Sequence, residues 1–160
     1  MGLLIMKFGN AIDVSLFLKE KLESDLEVKC VIARLATIQE MEAGKDNICI
    51  GIYPASGSFE YEPEIETEKI HFIFFVMGKN TRIPDRDFLE EITSAVLQTA
   101  MRTKDILNSI SPAGNIKNVM VSEWEMIEHD MADALCVCKL VAQIEIVRPR
   151  PIVTKEDYYA

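Results

Sequence analysis

The sequence is short of positive charge. Lys and Arg total 17 against 26 Asp and Glu, for a formal net charge of −9. A groove that holds nucleic acid needs a basic stripe to displace counterions from the phosphates, and none is present. Anionic membrane surfaces are disfavoured for the same reason. No apolar run reaches membrane-spanning length. Met1–Phe8 is apolar but too short for a signal-peptide core and runs straight into Gly9 and Asn10. The four cysteines, Cys30, Cys49, Cys136 and Cys138, include no CxxC pair and read as reduced thiols. Also missing are GxxxxGK[ST], GxGxxG, GxSxG and HExxH, so phosphate-cradling, dinucleotide, elbow-serine and zincin chemistries lack their minimum residues. No internal repeat, low-complexity segment or interdomain linker is visible.

What remains is ordinary globular composition, 49% hydrophobic and 27% charged over 160 residues. A domain of this size buries roughly 70% of its unfolded surface and has a radius of gyration of about 15 Å. It holds a core without disulfides or metal.

Asn10 is a good helix N-cap. Ile12, Val14, Leu16, Phe17, Leu18 and Leu22 follow at mostly helical spacing, predicting an amphipathic helix over 10–24. Residues 26–32 alternate and read as a strand. Residues 33–45 are ambiguous, with a turn at 44–47. Ile48–Tyr53 reads as a short buried strand broken by Pro54, Ser56, Gly57 and Ser58. Ile70–Met77 is apolar on both faces, as in a central strand. Pro84 and Asp85 open the clearest helix, which continues through Ile92, Val96, Ala100 and Leu107 to a stop at 111–114, with room for a kink at Thr103–Lys104. Val119–Trp124 alternates. After a polar turn at 128–133, so does 134–147, giving an antiparallel hairpin. Arg148-Pro149-Arg150-Pro151 looks unable to extend a ladder, so 148–160 reads as a tail. The expected fold is α+β: a mixed or antiparallel sheet of about five strands with two helices on one face, in the order α-β-β-β-α-β-β. It forms a single domain over 1–147.

Two sets of residues carry candidate chemistry. The first is Cys136-x-Cys138 with Cys30, Cys49, His71 and His129. Zinc asks for four converging ligands and a nucleophile for an accessible thiolate, whereas these cysteines sit in apolar strand patterns, the habit of core thiols. The second is 59–69, where Glu60, Glu62, Glu64, Glu66 and Glu68 recur at every second residue. In a single extended chain they share one face about 7 Å apart, with Phe59, Tyr61, Ile65 and Thr67 on the other and Pro63 marking an edge or arm. The stretch reads either as a protruding acidic arm for a basic partner or a channel lining, or as a solvated strand face guarding an edge. Calcium is a weaker option, since the loop lacks the Asp/Asn/Gly spacing of a calcium site. Arg148 and Arg150 read either as a subunit-contact tail or as a loose terminus.

The capped first helix, the strand Ile48–Tyr53 followed by an acidic arm, the strand Ile70–Met77 leading to a Pro84/Asp85 helix start, and the turn Glu128–Asp133 before a last alternating strand together resemble the tail terminator proteins of long-tailed bacteriophages, over roughly 10–147. That resemblance implies a non-enzymatic structural protein, with no cofactor and no metal, in the virion tail, assembled in the bacterial host cytoplasm. Copies form a ring, usually a hexamer, on the head-proximal end of the tail tube. The ring meets the tail tube protein and the head–tail connector and stops tube polymerisation, while DNA passes without specific binding. On that implication the glutamates 60–68 line the lumen or contact the tube, and Arg148 and Arg150 contact a neighbour. Siphophage, contractile and tail-derived particles stay open. So do another neck or tail-completion protein and a Cys/His metal-binding protein or enzyme.

Overall fold

A computed structural model describes residues 7–43, 47–79, 86–110, 112–130 and 135–150, without the side chains of 38, 86–89 and 128–130. The elements run α1 (Ala11–Leu26), β1 (Lys29–Ile32), α2 (Ile38–Ala43), β2 (Ile48–Tyr61), β3 (Ile65–Lys79), α3 (Arg86–Asn108), β4 (Ile116–Asp130) and β5 (Leu135–Pro149). They form one five-stranded sheet in the order β1-β2-β3-β5-β4. β1 lies parallel to β2 and every other pair is antiparallel. The α+β fold with a mixed sheet is therefore as expected. The observed order differs by one element, α2, which falls in the ambiguous stretch.

Local chemistry explains the helix ends. Asn10 Oδ1 accepts from the N–H groups of Ile12 and Asp13 at 2.9 and 3.0 Å, and Asp13 in turn accepts from Gly9 N–H at 2.9 Å. These bonds satisfy donors that the first turn leaves without partners. Glu27 closes α1 in the left-handed region, φ 56°, so Leu26 belongs to the helix and the next strand starts only at Lys29. α2 begins with a reciprocal capping box. Thr37 Oγ1 accepts from Glu40 N–H, and Glu40 Oε1 accepts from Thr37 N–H. α3 runs unbroken through Thr103, whose buried hydroxyl donates to Thr99 O at 2.8 Å. The helix start expected at Pro84 and Asp85 and the turn at 44–47 lie largely outside the described residues.

The core lies between one sheet face and the pair α1 and α3. Val14, Leu18 and Leu22 of α1 and Ile92, Val96, Ala100 and Leu107 of α3 recur at three- and four-residue spacing and meet the even-numbered row of β3, Ile70, Phe72, Phe74 and Val76. The even row of β5 from Cys136 to Ile146 completes this face. On the opposite face, α2 covers only one end of the sheet. There Met41 packs with Val31, Cys49, Met77 and Val137. Between the covering helices and β3 there is no spare room. A Cβ on Gly78 would stand 2.7 Å from Val96 and 2.9 Å from Ile92.

Strands run longer than the sequence suggests: β4 spans Ile116–Asp130 instead of Val119–Trp124 and takes in Glu128–Asp130 of the expected turn, and two other strands continue past a proline. β2 does not end at Tyr53. It absorbs Ala55 as a bulge between Pro54 and Ser56 and continues to Tyr61. β5 does not end at Val147, because Arg148 and Pro149 still pair with Glu66 and Ile65. Both prolines lie where their missing N–H costs nothing. Ile52 O accepts from Ala33 N–H on the β1 side, so Pro54, two residues on, faces that side just past the end of β1. Val147 N–H points away from β3 to Asn115 O, so Pro149 points the same way, beyond the first β4 pair at Ile116.

Gly78→Ala is expected to destabilise the fold by about 1–3 kcal/mol through overpacking against α3. Urea unfolding measured by far-ultraviolet circular dichroism gives the value, and a change under half a kcal/mol would contradict this packing.

Candidate functional site

The bulge at Ala55 changes which side chains share a face. Side chains alternate along a strand, so one extra residue moves everything after it to the other side. Before the bulge, Ile48, Ile50 and Ile52 point to the helices. After it, the residues opposite the core row of β3 are Gly57, Phe59 and Tyr61, paired with Ile70, Glu68 and Glu66. Glu60 instead pairs with Thr67 on the open face. The chain then turns at Glu62–Glu64, where Glu62 N–H donates to Ile65 O at 2.8 Å.

The five glutamates therefore do not form one negative ribbon. Glu66 and Glu68 lie on the helix side, nearly buried. Glu60 is on the opposite face, paired with Lys69 at 2.8 Å, and that hydrogen bond holds its carboxyl below the usual range. Glu62 and Glu64 are exposed at the turn. The stretch forms a β2–β3 hairpin with a third strand alongside, because β5 accompanies β3 to its end and Arg150 N–H donates to Glu64 O at 2.9 Å.

Arg148 is the centre of this region and is not a free tail residue. It ends the core row of β5, as Glu68 and Glu66 end the core row of β3. Its guanidinium bonds Glu68 Oε1 at 2.7 Å and Glu66 Oε2 at 3.1 Å, and donates to Gly9 O at 3.2 Å. The arginine side chain is 10% exposed and the two glutamates are 14% and 15% exposed. One cation thus ties β5, β3 and the chain entering α1. Asn115 reinforces that entry. It is 3% exposed. Its amide accepts from the N–H groups of Lys7 and Phe8 and donates to Phe8 O at 2.7 Å. Outside this cluster, the Arg148 and Arg150 guanidinium groups lie 6.0 and 5.4 Å from the ring centres of Phe59 and Tyr61. These two rings stack at 6.3 Å and are 50% and 56% exposed.

A second feature is on the open face, where sequence reasoning saw nothing. Leu35, Tyr53, Ile73 and Phe75, walled by Arg34, enclose an apolar concavity of about 300 Å³. Arg34 is fixed by a bidentate pair with Glu40, and that hydrogen bonding lowers the Glu40 carboxyl to about 2. The sequence signal for this corner was Thr37-x-x-Glu40, a capping-box spacing.

The thiols are core residues. All four are buried. Burial pushes Cys49 up to about 11 and raises Cys30, Cys136 and Cys138 as well, so none offers a thiolate near neutral pH. His71 is exposed on the open face opposite Gln143, and the side chain of His129 lies outside the described residues. Among the described residues no group of three or more His, Cys, Asp or Glu is placed to hold a metal ion, and no helix is long and apolar enough to cross a membrane.

Two outcomes are expected. Arg148→Met strands two nearly buried carboxylates and costs about 3–5 kcal/mol, whereas the triple change with Glu66→Gln and Glu68→Gln restores much of the loss. Chemical denaturation of the wild type and the two variants decides; a triple variant weaker than the single one would contradict the arrangement. The Glu40 carboxyl has an ordinary value of 4.5 and a folded value of about 2. Its contribution is therefore present above about 4.5 and lost as pH falls toward 2. Between pH 4.5 and 2, the α2 amides lose hydrogen-exchange protection in the wild type. In Glu40→Ala, which loses both the cap and the Arg34 pair, that protection is already low at pH 6 and changes little.

No protein-family model matches this chain, and no curated protein matches it.

Proposed function

We propose that this chain is a ring-forming structural protein of a phage or prophage tail, a tail terminator that caps the head-proximal end of the tube and meets the head connector. The observation that carries the reading is the arm. A three-stranded ribbon extends past the helical layer, braced at its root by a nearly buried arginine, and carries two exposed stacked aromatic rings. An isolated monomer gains nothing from holding Phe59 and Tyr61 in water, and an exposed aromatic pair on a rigid support is what an interface uses.

The rest of the reading follows from charge. At net −9 the chain does not attract DNA phosphates, so a genome can pass a ring of such subunits without sticking. Glu66 and Glu68 are engaged by Arg148 and Glu60 by Lys69, so of the five glutamates the two exposed at the turn, Glu62 and Glu64, are the ones presented to a lumen or a tube. The reaction of the ring is assembly, and no bond-making step is part of it.

Electron microscopy of the protein, alone and with purified tail tubes, tests this. Closed rings of fixed rotational symmetry on one tube end are expected. Tubes that stay uncapped at every protein concentration would overturn the reading.

A further inference from the structure

The exposed aromatic pair of the arm and the apolar concavity of the open face are complementary. We propose that they bind each other between copies: the arm tip of one subunit, led by Tyr61 and Phe59, inserts into the Leu35–Tyr53–Ile73–Phe75 concavity of the next. This rests on the self-assembling reading above and supplies its contact.

Four observations point to a second copy of this chain as the occupant. The first is size. The concavity of about 300 Å³ has almost wholly apolar walls and suits one or two aromatic side chains. The second is charge. The arm tip presents Glu62 and Glu64 against one arginine, Arg150, leaving an acidic excess. Arg34, in the wall of the concavity, and Lys29 behind it share one carboxylate, Glu40, leaving a basic excess beside the concavity. The third is reach. Tyr53 and Tyr61 lie on one continuous strand, eight residues or roughly 26 Å apart, so a chain cannot fill its own concavity. The fourth is direction. The rings face the helix side and the concavity faces the open side, so two different patches meet. Such a contact is head-to-tail, and head-to-tail contacts close into rings when the rotation permits.

That direction gives a sharp test. The arm variant F59S/Y61S and the concavity variant L35E/Y53E change exposed side chains only. Circular dichroism and thermal midpoints check that both fold, and the single change Leu35→Glu, at a residue 58% exposed, serves as a milder second concavity variant. Analytical ultracentrifugation of the wild type is expected to show self-association that weakens with added salt. Each variant alone is expected to lose it at least about thirtyfold. Mixed one to one, the intact arm of one variant fits the intact concavity of the other, and growth stops at a heterodimer. Variants that associate like wild type overturn the contact, as does a mixture of folded variants that forms no heterodimer. A wild type that stays monomeric also overturns it. The capping of tube ends reads the tail-terminator proposal separately, since a ring held by other surfaces would still cap.

Discussion

The fold turns on how the core is closed at the root of the arm. Two apolar rows, Ile70–Val76 on β3 and Cys136–Ile146 on β5, run side by side under the helices and end together in Glu68, Glu66 and Arg148. Removing such charges from water is expensive, and the cost is offset only if every partner is in place. Here each carboxylate meets the guanidinium, and Nη1, which bonds Glu68, also donates to Gly9 O at the entry to α1. The cluster adds little net stability over an apolar filling of the same shape. It ties β5 to β3 and to the chain entering α1, and an ion pair so placed favours one alignment of the two strands.

From that fixed root the single-residue bulge at Ala55 decides what the arm shows. In regular alternation Glu60 would point toward the helix side and the rings away from it. The extra residue exchanges them, so that Phe59 and Tyr61 lie beside Arg148 and Arg150 while Glu60 reaches Lys69. The arm's chemistry is therefore not the uniform negative ribbon its composition suggests. It combines an aromatic–arginine stack with a small acidic tip. The open face is the counterpart, because α2 covers only one end of the sheet and leaves Tyr53 and Ile73 beyond it, with Phe75 at its margin.

The helices and most strand centres were legible because each is written in local spacing. Asn10 with a helical apolar stripe, the 3.6-residue period of α3 and the two-residue period of β5 need no distant partner. The ends of β2 and β5 were not legible. Proline forbids a ladder only where its N–H is needed, and whether a partner strand extends that far is decided for β5 by residues over 80 positions away and for β2 by the pairing of the whole β2–β3 hairpin. The five alternating glutamates misled for a related reason: a turn at Glu62–Glu64 divides them between two strands.

The sequence by itself determined the α+β class, the central place of Ile70–Met77, the buried inert thiols and the acidic surface, since burial and period are properties of each segment. Tertiary structure alone decided that Arg148 is an internal clamp, that Phe59 and Tyr61 share a face with it, and that Leu35 and Phe75 line one concavity. Those facts depend on register, and register is set by the pairing of whole strands and by one bulge, which no local pattern encodes.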